Sequence, residues 1–285
     1  MLLTPFDPWQ NPMCTCLNKL TFSPYTGCDH NCTYCYATSY IPHFNNCRPK
    51  KNLIPRLQKE AQKLTGQLIS ISNSSDPYPT IEKDLHLTRQ SLKTLSQHPC
   101  SVQVITKSNL VTRDTDILRA MNAVVAFTIT MEDDDLAKEL EPNASSPTRR
   151  IQAIEKLKQN NIPVCARIDP IIPFLNDNPE NLIKTLAALG VKHITASTYK
   201  AKPDNWNRLK QVLPETVSKL EPLYFTQGQK IGGYQYLPKE LRYTLMKNAK
   251  ELTERAGMTF GTCREGFPQL NTSTCDGANY CGRRH

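Results

Sequence analysis

"SPYTGCDHNCTYCYA", residues 23–37, sets Cys28, Cys32 and Cys35 within eight residues, with a tyrosine on each side of the third. Iron–sulfur clusters are usually held by four thiolates. A loop that supplies three leaves one metal corner uncovered, as catalytic zinc sites keep a position for water or substrate, so the pattern points to chemistry. Two or three residues between ligands let one loop wrap a small cluster without distant parts of the chain. Zinc is the other account of the spacing, with His30 or a remote cysteine as fourth ligand.

Outward from this loop, the β-branched run "KLTF" (19–22) precedes it directly. Five more follow: "QLISIS" (67–72), "VQVIT" (102–106), "AVVAFTIT" (123–130), "VCARID" (164–169) and "KHITAS" (192–197). The stretches between them read as helices. Leu53, Leu57, Ala61 and Leu64 share one helical face, Ser146 and Pro147 form an N-cap and first helical position, and "NPENLIKTLAALG" opens at Asn178 and Pro179 and stops at Gly190. Six strand–helix units predict an α/β fold with a parallel sheet and helices outside it: a partial (β/α)6 TIM-type barrel, since eight units close a full one. Such folds carry functional groups on the loops after the strand C-termini, where the three-cysteine loop falls. After residue 215 the pattern changes, dividing the chain into an N-terminal extension (1–18), a barrel (19–215) and a cysteine-bearing C-terminal extension (216–285).

The 285 residues allow one large core, and no run reaches the roughly 18 apolar residues of a membrane span. "MLLTPFDPWQNPM" lacks the basic and then apolar pattern of an export signal, so a soluble, cytoplasmic protein is expected. Eleven cysteines in such a chain suit metal binding better than a disulfide framework. A net charge of +9 favours an anionic partner. Arg48, Lys50, Lys51, Arg56, Lys59 and Lys63 stand against Glu60 alone, either as a solvated helix face or as a phosphate-contacting surface.

"CDHNCTYCY" has the CxxxCxxC pattern with an aromatic residue before the third cysteine, and it resembles the signature of the radical S-adenosylmethionine (SAM) superfamily. The resemblance implies that Cys28, Cys32 and Cys35 bind a 4Fe–4S cluster whose fourth iron is chelated by the methionine end of SAM. It further implies reduction by a flavodoxin or ferredoxin type of donor and cleavage of SAM to a 5′-deoxyadenosyl radical that abstracts hydrogen. "SSDPYPTIEKDLHLTRQSL" (74–92), "ITKSNLVTRDTDIL" (105–118) and "ELEPNASSPTRRIQAI" (139–154) narrow it to the spore photoproduct lyase-like branch, over about residues 19–200. By position, Tyr34 and Tyr36 are then expected beside the cluster and the adenine, Ser75 and Asp76 near SAM, Lys107 on its carboxylate and Thr128 by the methionyl group. Arg150 reaches that carboxylate or pairs with Glu141. Arg167 and Asp169 line the cavity or satisfy each other, and Tyr234 and Tyr236 offer stacking surfaces or pack a loop. No single catalytic acid or base is assigned. Spore photoproduct lyases carry a hydrogen-donating cysteine where Ser74 stands, which separates this chain from thymine-dimer reversal unless a C-terminal cysteine replaces that donor.

That C-terminal group is Cys263, Cys275 and Cys281, three thiols within nineteen residues. A second iron–sulfur cluster is the preferred account, as auxiliary clusters recur in this superfamily. Zinc with His285 or Cys14 and a redox or hydrogen-donating thiol are its rivals. Cys14 and Cys16 can join either site, whereas Cys47, Cys100 and Cys165 read as plain residues. The expected substrate is DNA or RNA, then a peptide or small metabolite; the non-catalytic alternative is a zinc-stabilised nucleic-acid-binding protein.

Overall fold

A computed structural model describes residues 1–7, 13–72 and 74–281. Each β-branched run forms a strand of one eight-stranded sheet: β2 (Leu20–Phe22), β3 (Gln67–Ile71), β4 (Cys100–Thr106), β5 (Asn122–Thr128), β6 (Val164–Ile171) and β7 (His193–Thr198). β1 (Thr4–Pro5) pairs antiparallel with β2 at one edge, and β8 (Thr259–Thr262) adds a parallel strand beside β7 at the other. Strand order follows chain order and the sheet stays open, as in a partial barrel.

The crossovers carry the helices α1 (Leu53–Ala61), α2 (Leu87–Leu95), α3 (Thr115–Ala120), α4 (Asp134–Leu140), α5 (Pro147–Gln159), α6 (Glu180–Ala188), α7 (Pro203–Val212), α8 (Pro214–Glu221) and α9 (Lys239–Arg255). α1 buries Leu53, Leu57 and Ala61, the face its spacing predicts. The Ser146 hydroxyl accepts the Arg149 N–H at the start of α5. α6 begins one residue later than its sequence suggests, with Pro179 in the cap position and Asn178 accepting the Glu180 N–H. No helix of the described residues is long and apolar enough to cross a membrane.

Strand alternation separates two environments. Ile69, Ile71, Val102, Val104, Val125, Phe127, Val164, Ala166, Ile168, Ile194, Ala196 and Phe260 face the helices and join α1, α2, α5, α6 and α9 in the main core. The opposite face is largely polar, with Lys19, Ser70, Gln103, His193 and Thr195 all buried. What covers it is the end of the chain. Gln103 Nε2 donates to the Asp276 carbonyl (2.8 Å), Thr195 Oγ1 to the Cys275 carbonyl (2.9 Å), and Lys19 pairs with Asp276. Tyr280 meets Thr259 at 3.0 Å and the Cys281 thiol meets the Val102 carbonyl, so residues 274–281 fill the bore at the strands' N-terminal half. The approach is tight: a Cβ on Gly277 would stand 2.6 Å from the Cys165 sulfur.

The sequence alone predicts six parallel strands, and the structure holds a seventh, β8, in the stretch expected to be extension. Its four residues, TFGT, are too few to show a strand period.

Candidate active site

The loop after β2 opens the mouth of the bore. Tyr25–Thr26 pairs with Arg48–Pro49, and the Cys28 N–H donates to the Phe44 carbonyl at 2.8 Å. Gly27 makes that closure possible: its φ is +82°, and a Cβ there would lie 2.3 Å from the Phe44 oxygen. Cys28 and Cys32 are buried, Cys35 is half-buried, and none is in a disulfide. Backbone N–H groups of His30 and Asp76 reach the Cys28 sulfur, and those of Ala37 and Thr38 reach Cys35. Burial and the charges of Asp76 and Cys32 push the Cys28 thiol well up, while burial lifts Cys32 to about 12 against the pull of Lys107. Thiols crowded this way become thiolates together only if a cationic metal centre stands between them, and the N–H donors are the kind that tune an iron–sulfur cluster. The three residues fit that group.

The loop is gripped from behind by α7. Arg208 donates to the carbonyls of Cys32 and Cys35, both at 2.6 Å, and Asn205 Nδ2 to that of Tyr34 at 3.2 Å. Sequence reasoning missed both residues; nothing in a polar helix face ties it to a loop more than 160 positions earlier.

Asp76 knots the exits of β3 and β4: Oδ1 accepts from Thr106 Oγ1 (2.8 Å) and the Tyr78 N–H (2.9 Å), and Oδ2 from the Lys107 N–H (2.7 Å). Ser75 is buried beside it. The Lys107 ammonium lies 5.5 Å from the Tyr34 ring centre, in the field of Cys32, Cys35 and Glu141. Because Asp76 and Glu141 are engaged elsewhere, no carboxylate of the described residues claims it.

Below it, Arg150 pairs with Glu141 and donates to the Thr128 carbonyl at 2.9 Å. The Tyr34 hydroxyl donates to the same glutamate, which turns that ring into the wall. Burial raises the Glu141 carboxyl, but the Arg150 and Lys107 charges outweigh it and hold the group below its ordinary value. Of the two roles open to Arg150, the Glu141 pair is the contact present. Tyr36 points the other way, stacked on Tyr40 (6.2 Å) and edge-on to Tyr234 (6.1 Å), an aromatic rim over the loop. Tyr236 is buried, with Arg242 and Lys200 over its ring.

Deeper on the mouth side, Arg167 and Asp169 pair at 2.7 Å, with the Ser197 hydroxyl on Asp169. Lys200 and Arg242 share Glu265. Arg167 and Asp169 are thus a satisfied pair, yet the Asp169 side chain keeps 27% exposure, so they also line the bore.

The C-terminal thiols are spread out. Cys263, just past β8, lies in the field of Arg167. Cys275 lies in the bore filling, its sulfur 3.1 Å from that of Cys16. Cys281 packs with Cys165. The structure does not bring the three together, and His285 lies outside the described residues. On α1 and at its two ends, Lys51, Arg56, Lys59 and Lys63 are exposed, while Glu60 accepts the backbone N–H groups of Leu2 and Leu3.

Comparison with known proteins agrees with this geometry. The sequence profile of the radical SAM superfamily matches residues 22–189. An uncharacterised protein of Methanocaldococcus jannaschii is 33% identical over 205 residues, 70% of this chain and 78% of its own. The radical SAM Nalpha-GlyT isomerase of Pseudomonas phage M6 is 23% identical over 261 residues, 85% of this chain and 53% of its own. Among solved structures, a spore photoproduct lyase variant with bound AdoMet and dinucleoside spore photoproduct has the same fold, with a TM-score of 0.64 at 18% identity over 83% of this chain and 72% of that one. With more than half the chain matched and the three thiols set at the strand C-termini, this protein is an enzyme of the radical SAM superfamily, whose members use a 4Fe–4S cluster, SAM and a one-electron reductant.

Proposed function

We propose that this enzyme carries out radical chemistry on a base of DNA or RNA presented at the barrel mouth. The observation that carries the proposal is the set of three thiols, two buried and one half-buried, with the Lys107 charge acting on Cys32 and Cys35. With cluster and SAM bound, the chemistry supplied is one-electron cleavage of SAM to methionine and a 5′-deoxyadenosyl radical, which removes hydrogen from carbon. The rest falls to the chain. Cys28, Cys32 and Cys35 hold three cluster corners. Lys107 pairs with the SAM carboxylate, Asp76 fixes the backbone that carries Lys107, and Thr128 and Ser75 line the methionyl side. Arg150 serves as a positioning residue that sets Tyr34 and the end of β5, and Tyr36 offers its ring to the adenine. The rim of Tyr36, Tyr40 and Tyr234 keeps water from the radical. The reductant is of flavodoxin or ferredoxin type, met in the cytoplasm, where the thiols stay reduced.

A nucleic-acid substrate is supported by the exposed basic residues of 51–63, by aromatic rings on which a base can stack, and by a solved structure of the same fold that holds a dinucleoside spore photoproduct. A base inside a duplex has to be extruded to reach this mouth. Ser74 is bonded to the Tyr40 hydroxyl at 2.9 Å, and an O–H is too strong to serve as hydrogen donor, so thymine-dimer reversal lacks its usual donor here. Cys263 is the C-terminal thiol on the mouth side. The separate positions of Cys263, Cys275 and Cys281 lend no support to a second iron–sulfur cluster on those three. Superfamily membership replaces the non-catalytic zinc-protein alternative.

The direct test is anaerobic quantification of iron and sulfide, with electron paramagnetic resonance of the reduced protein before and after SAM. A SAM-dependent change in a four-iron signal is expected; protein free of iron and sulfide would overturn the assignment. Lys107→Ala should weaken SAM binding about 10- to 100-fold, the range for a charge-assisted contact, with iron content unchanged. Unaltered SAM affinity would remove Lys107 from the site. Reversing Lys51, Arg56, Lys59 and Lys63 to glutamate should lower oligonucleotide affinity at least about tenfold and flatten its salt dependence, while SAM cleavage without nucleic acid stays intact. Affinity equal to wild type would leave that face solvated only, and turnover of a peptide in place of an oligonucleotide would overturn the substrate class.

A further inference from the structure

The pair formed by Cys16 and Cys275 lies outside the cluster loop and takes no part in the proposed chemistry. The two sulfurs are 3.1 Å apart, from residues 259 positions apart, and a carboxylate oxygen of Asp276 lies within 4.8 Å of both. Cys14 stands two residues before Cys16, outside that close group. Cys275 and Asp276 are 2% and 3% exposed. Two thiols and a carboxylate therefore converge where the segment before β2 meets the bore filling, and a third thiol, Cys14, stands two residues along the chain from Cys16.

The position is held firmly. The backbone carbonyls of Cys275 and Asp276 are fixed by Thr195 and Gln103, and the Ala278 N–H donates to Asp276 Oδ1 at 3.1 Å. On the other side, Asn271 Nδ2 bonds to the Thr15 hydroxyl at 3.2 Å, between the two N-terminal cysteines. The Lys19 ammonium, paired with Asp276, supplies a cation against several anionic ligands in a buried place. Supports of this kind orient metal ligands from their second shell.

Spacing decides what such a site can take. Around one tetrahedral ion with metal–sulfur bonds of about 2.3 Å, sulfurs stand roughly 3.8 Å apart. Ligands of a four-iron core must be wider apart, because the whole core separates them. Donor atoms gathered within 4.8 Å suit a single ion, and soft thiolates with one carboxylate suit zinc.

We propose that Cys16, Cys275 and Asp276 hold a single zinc ion, with Cys14 closing on it as the fourth ligand, and that this site ties the N-terminal segment to the bore filling. The site is structural: with Cys14 closed on the ion, four protein donors complete the coordination and leave no open position. It holds residues 274–281 against the inward faces of β4, β6 and β7. This assignment stands apart from the radical chemistry, because it involves neither the cluster loop nor the mouth.

The test is elemental analysis of the anaerobically purified, cluster-loaded protein, with Cys16→Ser and Cys275→Ser beside it. About one zinc per chain is expected in addition to cluster iron, lost in either variant while the SAM-responsive iron signal persists. Because a buried variant can fail to fold, cobalt(II) replacing zinc in the unmutated protein gives a second measurement. Intense tetrahedral absorption with thiolate charge-transfer bands is expected. No zinc and no cobalt spectrum would overturn the proposal. So would about eight irons per chain with matching sulfide, the sign of a second cluster, or a Cys16–Cys275 disulfide in the isolated protein.

Discussion

Cys32→Ala should leave a folded protein that does not cleave SAM. Iron should fall from about four per chain to near none, and formation of 5′-deoxyadenosine should drop at least about a thousandfold, to background. The reason is local. Cys28, Cys32 and Cys35 share one loop, and two thiols cannot hold a cluster that already relies on SAM for its fourth corner. The loop should survive the loss of one sulfur, because its backbone is held independently: Arg208 grips the carbonyls of residues 32 and 35, the Thr33 N–H donates to the Leu140 carbonyl at 2.8 Å, and Asn143 Nδ2 to that of Asp29 at 2.7 Å. Cys47→Ser is the matched control. That thiol is half-buried, and burial pushes it up to about 12 like Cys32, yet it lies outside the loop and should leave both measurements unchanged. Full SAM cleavage by Cys32→Ala would sink the ligand assignment.

Arg150→Met should destabilise the protein by about 3–5 kcal/mol, the cost of stripping the partner from a buried charge. Arg150 is among the largest fully buried side chains, at 1% exposure, and its guanidinium answers both Glu141 and the Thr128 carbonyl. Without it the Glu141 carboxylate keeps, among the described residues, the hydroxyl donors of Tyr34 and Thr130. The melting temperature should fall by roughly 6–15 °C. The double variant Arg150→Met/Glu141→Leu should recover much of the loss, because a buried pair is worth little against apolar side chains of similar volume. The pH dependence carries a sign. Glu141 is held below its ordinary 4.5 in the folded chain, so its contribution is fully present above that value and is lost as the pH falls through the folded value. Arg150→Met should therefore flatten the acid limb of the stability curve. A variant with unchanged melting temperature but weakened SAM binding would make Arg150 a direct cofactor ligand instead.

What the sequence by itself determined lies within short reach along the chain. The three thiols lie in one loop, so the pattern that marks them is written in eight residues. Six strands announce themselves by β-branched composition, and α5 by its serine cap and first-turn proline, because both signals arise from neighbours in sequence. The place of Lys107 and Asp76 at strand ends follows from the same reasoning.

Only the tertiary structure decided the rest. β8 is a strand because β7 offers it a parallel edge, and TFGT has too few residues to say so alone. The end of the chain, read from the sequence as an extension, partly fills the bore, where the buried side chains of Gln103 and Thr195 find their partners in the carbonyls of Asp276 and Cys275. Cys275 meets Cys16 and not Cys263, although 263 is far nearer in sequence, and Arg208 grips a loop 176 positions away. Such contacts have no period and no spacing. They exist because sheet order and the filling of the bore bring remote segments together, and burial then makes each polar group find a partner where packing has left it.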